Sequence, residues 1–123
     1  MMIGTLDVIV LDCPEPGRLA DFYAEILGMQ KVSDDADWAE IVGPGDDARP
    51  IVAFQRVDDY TAPEWPGQDI PQQIHLDVRV DDLDRAEAEI LALGAVATGS
   101  GSPTFRVYLD PAGHPFCLIN PND

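Results

Sequence analysis

Hydrophobic and polar positions along the chain fall into two successive patterns of the same kind. Thr5–Cys13 (TLDVIVLDC) is rich in β-branched residues and stops at Pro14, which predicts a first strand. After the break Pro14-Glu15-Pro16-Gly17, the residues Leu19, Phe22, Tyr23, Ile26 and Leu27 recur at steps of three and four. That is the period of a helix with one apolar face, and Gly28 is its expected stop. Strands are predicted next at Gln30–Val32, Trp38–Val42 and Ile51–Val57, with the turn residues Gly43-Pro44-Gly45-Asp46-Asp47 between the last two.

The pattern then repeats. Asp58–Gln73 is interrupted by Pro63, Pro66, Gly67 and Pro71 and reads as a linker. Ile74–Val80 (IHLDVRV) is a predicted strand. Asp81 or Asp82 is the expected N-cap of a helix carrying Leu83, Ala86, Ile90 and Leu93 on one face, stopped at Gly94. Ala95–Thr98 is a short strand-like stretch before the turn-rich Gly99-Ser100-Gly101-Ser102-Pro103. Phe105–Leu109 and Pro115–Ile119 complete the second set of strands, joined by the turn Asp110-Pro111-Ala112-Gly113.

Both halves therefore read strand, helix, three strands. Val8-Ile9-Val10-Leu11-Asp12 lies on His75-Leu76-Asp77-Val78-Arg79, and Leu27-Gly28 lies on Leu93-Gly94. The expected organisation is one domain over 1–123, with a first module at about 5–57, a linker at 58–73 and a second module at about 74–120. Each half buries one sheet face, so stacking or edge pairing of the halves is expected to supply the remaining core.

Charge narrows the function classes. The 123 residues carry 7 Lys+Arg against 23 Asp+Glu, a formal net charge of -16. A nucleic-acid partner would need a basic surface, and an anionic membrane would repel this one, so neither is expected. A hydrophobic fraction of 46% fits a packed globular chain. The N-terminal residues do not read as a signal peptide, and the two cysteines, Cys13 and Cys117, are too few for a disulfide framework. A reduced, cytoplasmic protein is the expectation. No phosphate-binding glycine loop, GxSxG or HExxH is found, and the acidic clusters do not match a calcium loop.

Three stretches carry a family resemblance: LDCPEPGRLADFYAEILGM (11–29), IHLDVRVDDLDRAEAEILALGA (74–95) and RVYLDPAGHPFCLIN (106–120). In order and extent they resemble the vicinal oxygen chelate superfamily of glyoxalase I, extradiol dioxygenases, and fosfomycin and bleomycin resistance proteins. The nearest likeness is to its small glyoxalase-like branch. The resemblance implies an α+β fold of two tandem βαβββ modules, whose curved mixed sheets surround a central cavity. It also implies a homodimer, and usually a divalent metal held by His, Gln or Glu, one from the first and last strand of each module. In this sequence those positions fall on Val8, on Ala53 or Gln55, on His75, and on Cys117. Valine cannot coordinate and Gln is a weak neutral donor, so the expectation is no metal and no other cofactor, with a divalent ion as the lesser alternative.

The site candidates are then those of a small-molecule pocket: His75, Gln55 and Cys117, with Trp38, Trp65, Phe54 and Tyr108 as wall residues and Phe105 beside them. Strand aromatics are ordinarily core, whereas Trp65 sits in the linker, where periodicity does not force burial. His75 suits acid–base work. Cys117 reads as a packed thiol or, failing that, a nucleophile beside His75, for which no orienting residue is identifiable. Cys13 reads as buried structure and His114 as a turn residue. The leading expectation is a metal-independent protein that holds a small organic ligand, in the manner of resistance proteins. The competing one is a metal-dependent lyase, isomerase or dioxygenase of the superfamily, using His75 on a small oxygenated substrate.

Overall fold

The computed structural model describes residues 5–45, 48–67, 69–72 and 74–120; the predicted turn residues Asp46 and Asp47 and the linker residue Gln73 lie outside them. The chain divides into two units, Met1–Tyr60 and Thr61–Asp123.

The first unit runs β1 (Val8–Cys13), α1 (Pro16–Leu27), β2 (Gln30–Asp34), β3 (Trp38–Val42) and β4 (Ile51–Arg56). Its sheet has the order β1-β4-β3-β2, with β1 parallel to β4 and the other neighbours antiparallel. Side chains alternate between the two faces of a strand, so the register sorts the residues. Leu11, Phe54 and Ala39 lie side by side, as do Ile9, Val52 and Ile41. Almost all of these are buried, and they face α1. Tyr23 of α1 stacks on Phe54 with ring centroids 5.9 Å apart, and Phe22 meets Tyr23 edge-on at 5.0 Å. Pro16 opens α1, where its missing N–H costs nothing. Gly28 ends it in the left-handed region, at φ 64°, with its N–H returned to the Ala24 carbonyl.

The second unit runs β5 (Leu76–Arg79), α2 (Leu83–Ala92), β6 (Val96–Ser102), β7 (Phe105–Leu109) and β8 (Pro115–Ile119). Its sheet order, β5-β8-β7-β6, and its one parallel pair, β5 with β8, copy the first unit strand for strand. Asp82 caps α2, its carboxylate accepting the Arg85 N–H at 3.1 Å. Leu83 and Ile90 are the buried residues of α2, a thinner seam than that of α1.

Boundaries differ from expectation in physically readable ways. β6 continues through Gly99–Ser102 because a bulge absorbs the turn-like residues. Its pairing with β7 shifts between Ala97 and Gly101, and the Thr98 hydroxyl fills in by donating to the Val107 carbonyl at 2.8 Å. Gly99 and Gly101 take positive φ values of 81° and 151°. Leu93, expected on the buried helical face, is the C-cap residue just past the helix and is exposed. The stretch expected as a linker is ordered enough to hold a parallel bridge between Glu64 and Pro71. Among the described residues no helix is long and apolar enough to cross a membrane.

Candidate functional site

Each sheet has one face covered by its helix and one open face. On the second unit the open face carries the most chemistry. His75 immediately precedes β5 and Asp77 lies two residues further on, so both project to the same side. Parallel pairing sets Asp77 directly beside Cys117 on β8, and antiparallel pairing sets Val107 on the other flank of Cys117. Nε2 of His75 is 3.2 Å from Oδ1 of Asp77. The metal-capable atoms of His75, Asp77 and Cys117 all lie within 4.8 Å of one another. Around them is a cavity of about 370 Å³, lined by His75, Asp77, Thr104, Phe105, Cys117 and Ile119. Phe105 and Ile119 are register partners, which gives the cavity an apolar wall opposite its polar end.

Burial and the neighbouring Asp77 carboxylate, to which the thiol is hydrogen-bonded, push Cys117 up from 9.0 to about 11. A reactive cysteine needs the opposite, an electropositive surrounding that favours thiolate. Asp77 touches both the imidazole and the thiol, so the thiol's partner is a carboxylate rather than the histidine base. The arrangement is therefore suited to holding a ligand or an ion, and poorly suited to nucleophilic attack by Cys117.

The remaining candidates are distributed over both units. On the first unit Trp38 pairs with Gln55, placing both on the open face of that sheet, and the Trp38 Nε1–H donates to Glu40 Oε2 at 2.8 Å. Phe54, considered as a pocket wall, lies on the opposite face, fully buried against Tyr23. Tyr108 is likewise fully buried on the helix side of its sheet, its hydroxyl donating to Glu87 of α2 at 2.8 Å. It borders a second crevice of about 280 Å³ beneath α2, together with Glu87, Gly101 and Arg106. Trp65 is half-buried in the loop, just before a cis bond to Pro66. Cys13 is buried, its thiol directed at the Gln55 carbonyl at 3.7 Å. His114 closes its turn through Asp110, whose buried carboxylate accepts the Ala112 and His114 N–H groups at 2.8 and 3.0 Å.

Asp77 was not among the sequence candidates, nor were Thr104 and Ile119. The signal for Asp77 was present, because in a strand the residue two beyond a candidate histidine shares its face. The register of β8 against β5, which chooses Asp77 as the neighbour of Cys117, is not visible in spacing alone.

The glyoxalase-like domain family matches residues 8–119, and the chain belongs to it. No curated protein matches the sequence significantly. Among solved structures the fold is similar to that of a glyoxalase/bleomycin resistance protein/dioxygenase family enzyme from Burkholderia phytofirmans PsJN. That match has a TM-score of 0.70 and 14% identity over 95% of this chain and 98% of that one. The fosfomycin resistance protein FosX from Listeria monocytogenes has a TM-score of 0.66 and 16% identity, covering 96% of this chain and 92% of its own. TnmS3, an antibiotic binding protein from Streptomyces sp. CB03234, has a TM-score of 0.57 and 23% identity over 97% of both chains. At these identities the likeness is one of fold.

The fold implies a divalent ion, and the donors present test it. With Val8–Asp12 laid on His75–Arg79, Val10 corresponds to Asp77. Val10 pairs with Ala53 and Asp77 pairs with Cys117, so Ala53, not Gln55, is the counterpart of Cys117. The first unit thus offers Val8 and Ala53 at the positions where donors are required, and the four-strand set does not fit. The second unit offers a different set, imidazole, carboxylate and thiol, whose members are already neighbours. That composition suits a borderline divalent ion.

Proposed function

We propose that this chain binds a small organic molecule on the open face of its second sheet, by apolar contact and hydrogen bonding rather than by catalysis at a metal. The cavity of about 370 Å³ carries the reading, with Phe105 and Ile119 on one side and His75 and Asp77 on the other. It has the apolar wall and the few convergent polar groups of a ligand site. The acidic surface, with its net charge of -16, favours a cationic ligand over an anionic one. An antibiotic-binding protein and a fosfomycin resistance protein among the structural neighbours are consistent with sequestration of a foreign compound. The reading includes a homodimer in the cytoplasm, which light scattering on the eluting protein and cell fractionation would test.

The experiment is a binding screen of neutral and cationic amphipathic compounds against the chain and its Phe105→Ala variant. The expected result is saturable one-to-one binding, weakened about tenfold by loss of the aromatic wall, with little change in Tm. Failure of the whole panel, or binding that ignores Phe105, would overturn the proposal.

A second reading is favoured by one observation, the juxtaposition of His75, Asp77 and Cys117. A metal held there would make the cavity that of a lyase, isomerase or dioxygenase acting on a small oxygenated molecule. Turnover of such a compound that disappears in His75→Ala would favour it over simple binding.

A further inference from the structure

On its helix-covered side the second sheet departs from the first at three matched positions. Glu87 is the fifth residue of α2, as Ala20 is of α1. Ala53 and Cys117 correspond, and their partners on β3 and β7 are Glu40 and Val107. Arg106 and Tyr108 therefore flank Val107 as Ala39 and Ile41 flank Glu40. In the first unit Ala20, Ala39 and Ile41 are all fully buried, a sealed apolar seam. The second unit has a carboxylate, a guanidinium and a phenol at those places, and a crevice of about 280 Å³ opens beside them. The first unit closes without polar groups there, and withdrawing such groups from water costs free energy unless they are paired. Across the crevice β6 brings only Ala97, Gly99, Ser100, Gly101 and Ser102, so that wall is backbone with small side chains.

Glu87 and Arg106 border this crevice with complementary groups. Glu87 Oε1 accepts the Tyr108 O–H at 2.8 Å, and the phenol keeps its proton, held up to about 12 by burial and by Glu87. Glu87 Oε2 stands 3.5 Å from Arg106 Nη1, longer than a good hydrogen bond. Asp84 takes one of the guanidinium N–H groups, from Nη2 at 2.7 Å, which leaves further donors on a fork of five. The two side chains keep 34% and 32% of their surface exposed, so a ligand can reach them. An acceptor and a donor thus stand side by side. The edge of a cis-amide has its oxygen and nitrogen roughly 2.2 Å apart, by standard bond lengths. Two hydrogen bonds of about 2.9 Å from that edge to this pair would each lean by roughly 13°, well within the tolerated range. The opposite charges of Arg106 and Glu87 favour a neutral molecule, and 280 Å³ lies at the small end of ligand pockets, which suits a single ring. We propose that the crevice beneath α2 is a second binding site, on the opposite face of the second sheet from the His75 cavity. Its ligand is a small neutral heterocycle with an amide-type edge, the ring N–H donating to Glu87 Oε2 and the carbonyl accepting from Arg106 Nη1.

The test is an amide NMR titration of the full chain with 2-pyridone, a single-ring cyclic amide, beside 1-methyl-2-pyridone, which lacks the N–H. 2-Pyridone should give saturable shifts at the amides of Glu87 and of residues 97–102, with a Kd on the order of 1 mM for so small a molecule. The methylated probe should bind at least about tenfold more weakly, because it leaves the Glu87 acceptor unpaired. Both probes are read on the unmodified chain, so the comparison stands whatever a substitution does to the fold. Glu87→Gln keeps an oxygen for the Tyr108 hydroxyl and puts an amide donor where Oε2 stood. It should weaken 2-pyridone by about tenfold with little change in Tm. Absence of saturable shifts, shifts confined to the amides around His75 and Cys117, equal binding of the two probes, or undiminished binding in folded Glu87→Gln would each overturn the proposal. The Phe105 wall lies on the other face of the sheet, so absence of 2-pyridone binding beneath α2 would leave the organic ligand of the His75 cavity standing.

Discussion

The Asp77 carboxylate adds its charge to the effect of burial on the Cys117 thiol. Burial and this neighbouring anion both disfavour the Cys117 thiolate, which holds the thiol up to about 11. At neutral pH the thiol is therefore protonated, and its alkylation should be slow and accelerate only as pH approaches that value. Asp77→Asn removes the charge, lowers the thiol pKa and should speed alkylation at pH 8, followed by iodoacetamide mass labelling of metal-free protein. Tyr108 is raised for a related reason. Burial comes first and the bond to Glu87 second, and together they place it at about 12 against an ordinary 10. The folded state thus holds the phenol proton more tightly than the unfolded chain. The associated stability is present below pH 10 and is lost as pH rises from 10 toward 12. Tyr108→Phe should flatten that alkaline loss when Tm is followed against pH.

Between strand faces, the structure separates aromatic residues that sequence spacing alone does not. Phe54 and Phe105 both lie in predicted strands, and both were candidate wall residues. Phe54 turns toward α1 because its parallel partner is Leu11, on the buried side of β1, whereas Phe105 opens on the cavity. Phe54→Ala should accordingly cost about 3–5 kcal/mol of stability by emptying a packed position, a loss read by denaturant unfolding. Phe105→Ala should cost ligand affinity instead. The elements themselves are legible: among the described residues, both helices and all eight strands follow from periodicity, proline breaks and glycine stops. What spacing does not carry is register. A one-residue change in pairing exchanges the faces of a strand, and that choice decides whether Tyr108 or Val107 stands beside Cys117. His75 and Cys117 stand as candidates through the family resemblance, whose ligand positions fall on them. Asp77 entered only when β5 was set against β8. β6 was under-read because Gly99 and Gly101 signal a turn locally, while in the sheet they make a bulge. Gly101 is held to glycine there, since a Cβ would run into the Phe105 carbonyl oxygen.

Over the whole molecule the dominant physical fact is the excess of 16 negative charges. Five of the seven basic residues are engaged: Lys31 bridges Asp21 and Asp34, Arg49 meets Asp7, Arg56 meets Asp58, Arg85 meets Glu89, and Arg106 meets Asp84 and Glu87. These pairs stand at least partly in solvent, and such pairs contribute between zero and about 1 kcal/mol each. The unpaired carboxylates repel one another over longer distances, and folding brings them closer than in the extended chain. Raising salt from about 0.01 M to about 1 M shortens the screening length from about 30 Å to about 3 Å. That weakens the few attractions and the many repulsions together, and the repulsions are more numerous. The Tm should therefore rise by several degrees with NaCl at pH 7. A smaller rise is expected in a variant with three surface aspartates replaced by asparagine, Asp37, Asp59 and Asp69 for example, which removes part of the repulsion beforehand. A Tm that falls with salt would mean instead that Lys31, Arg49 and Arg106 hold specific ion pairs outweighing the net field.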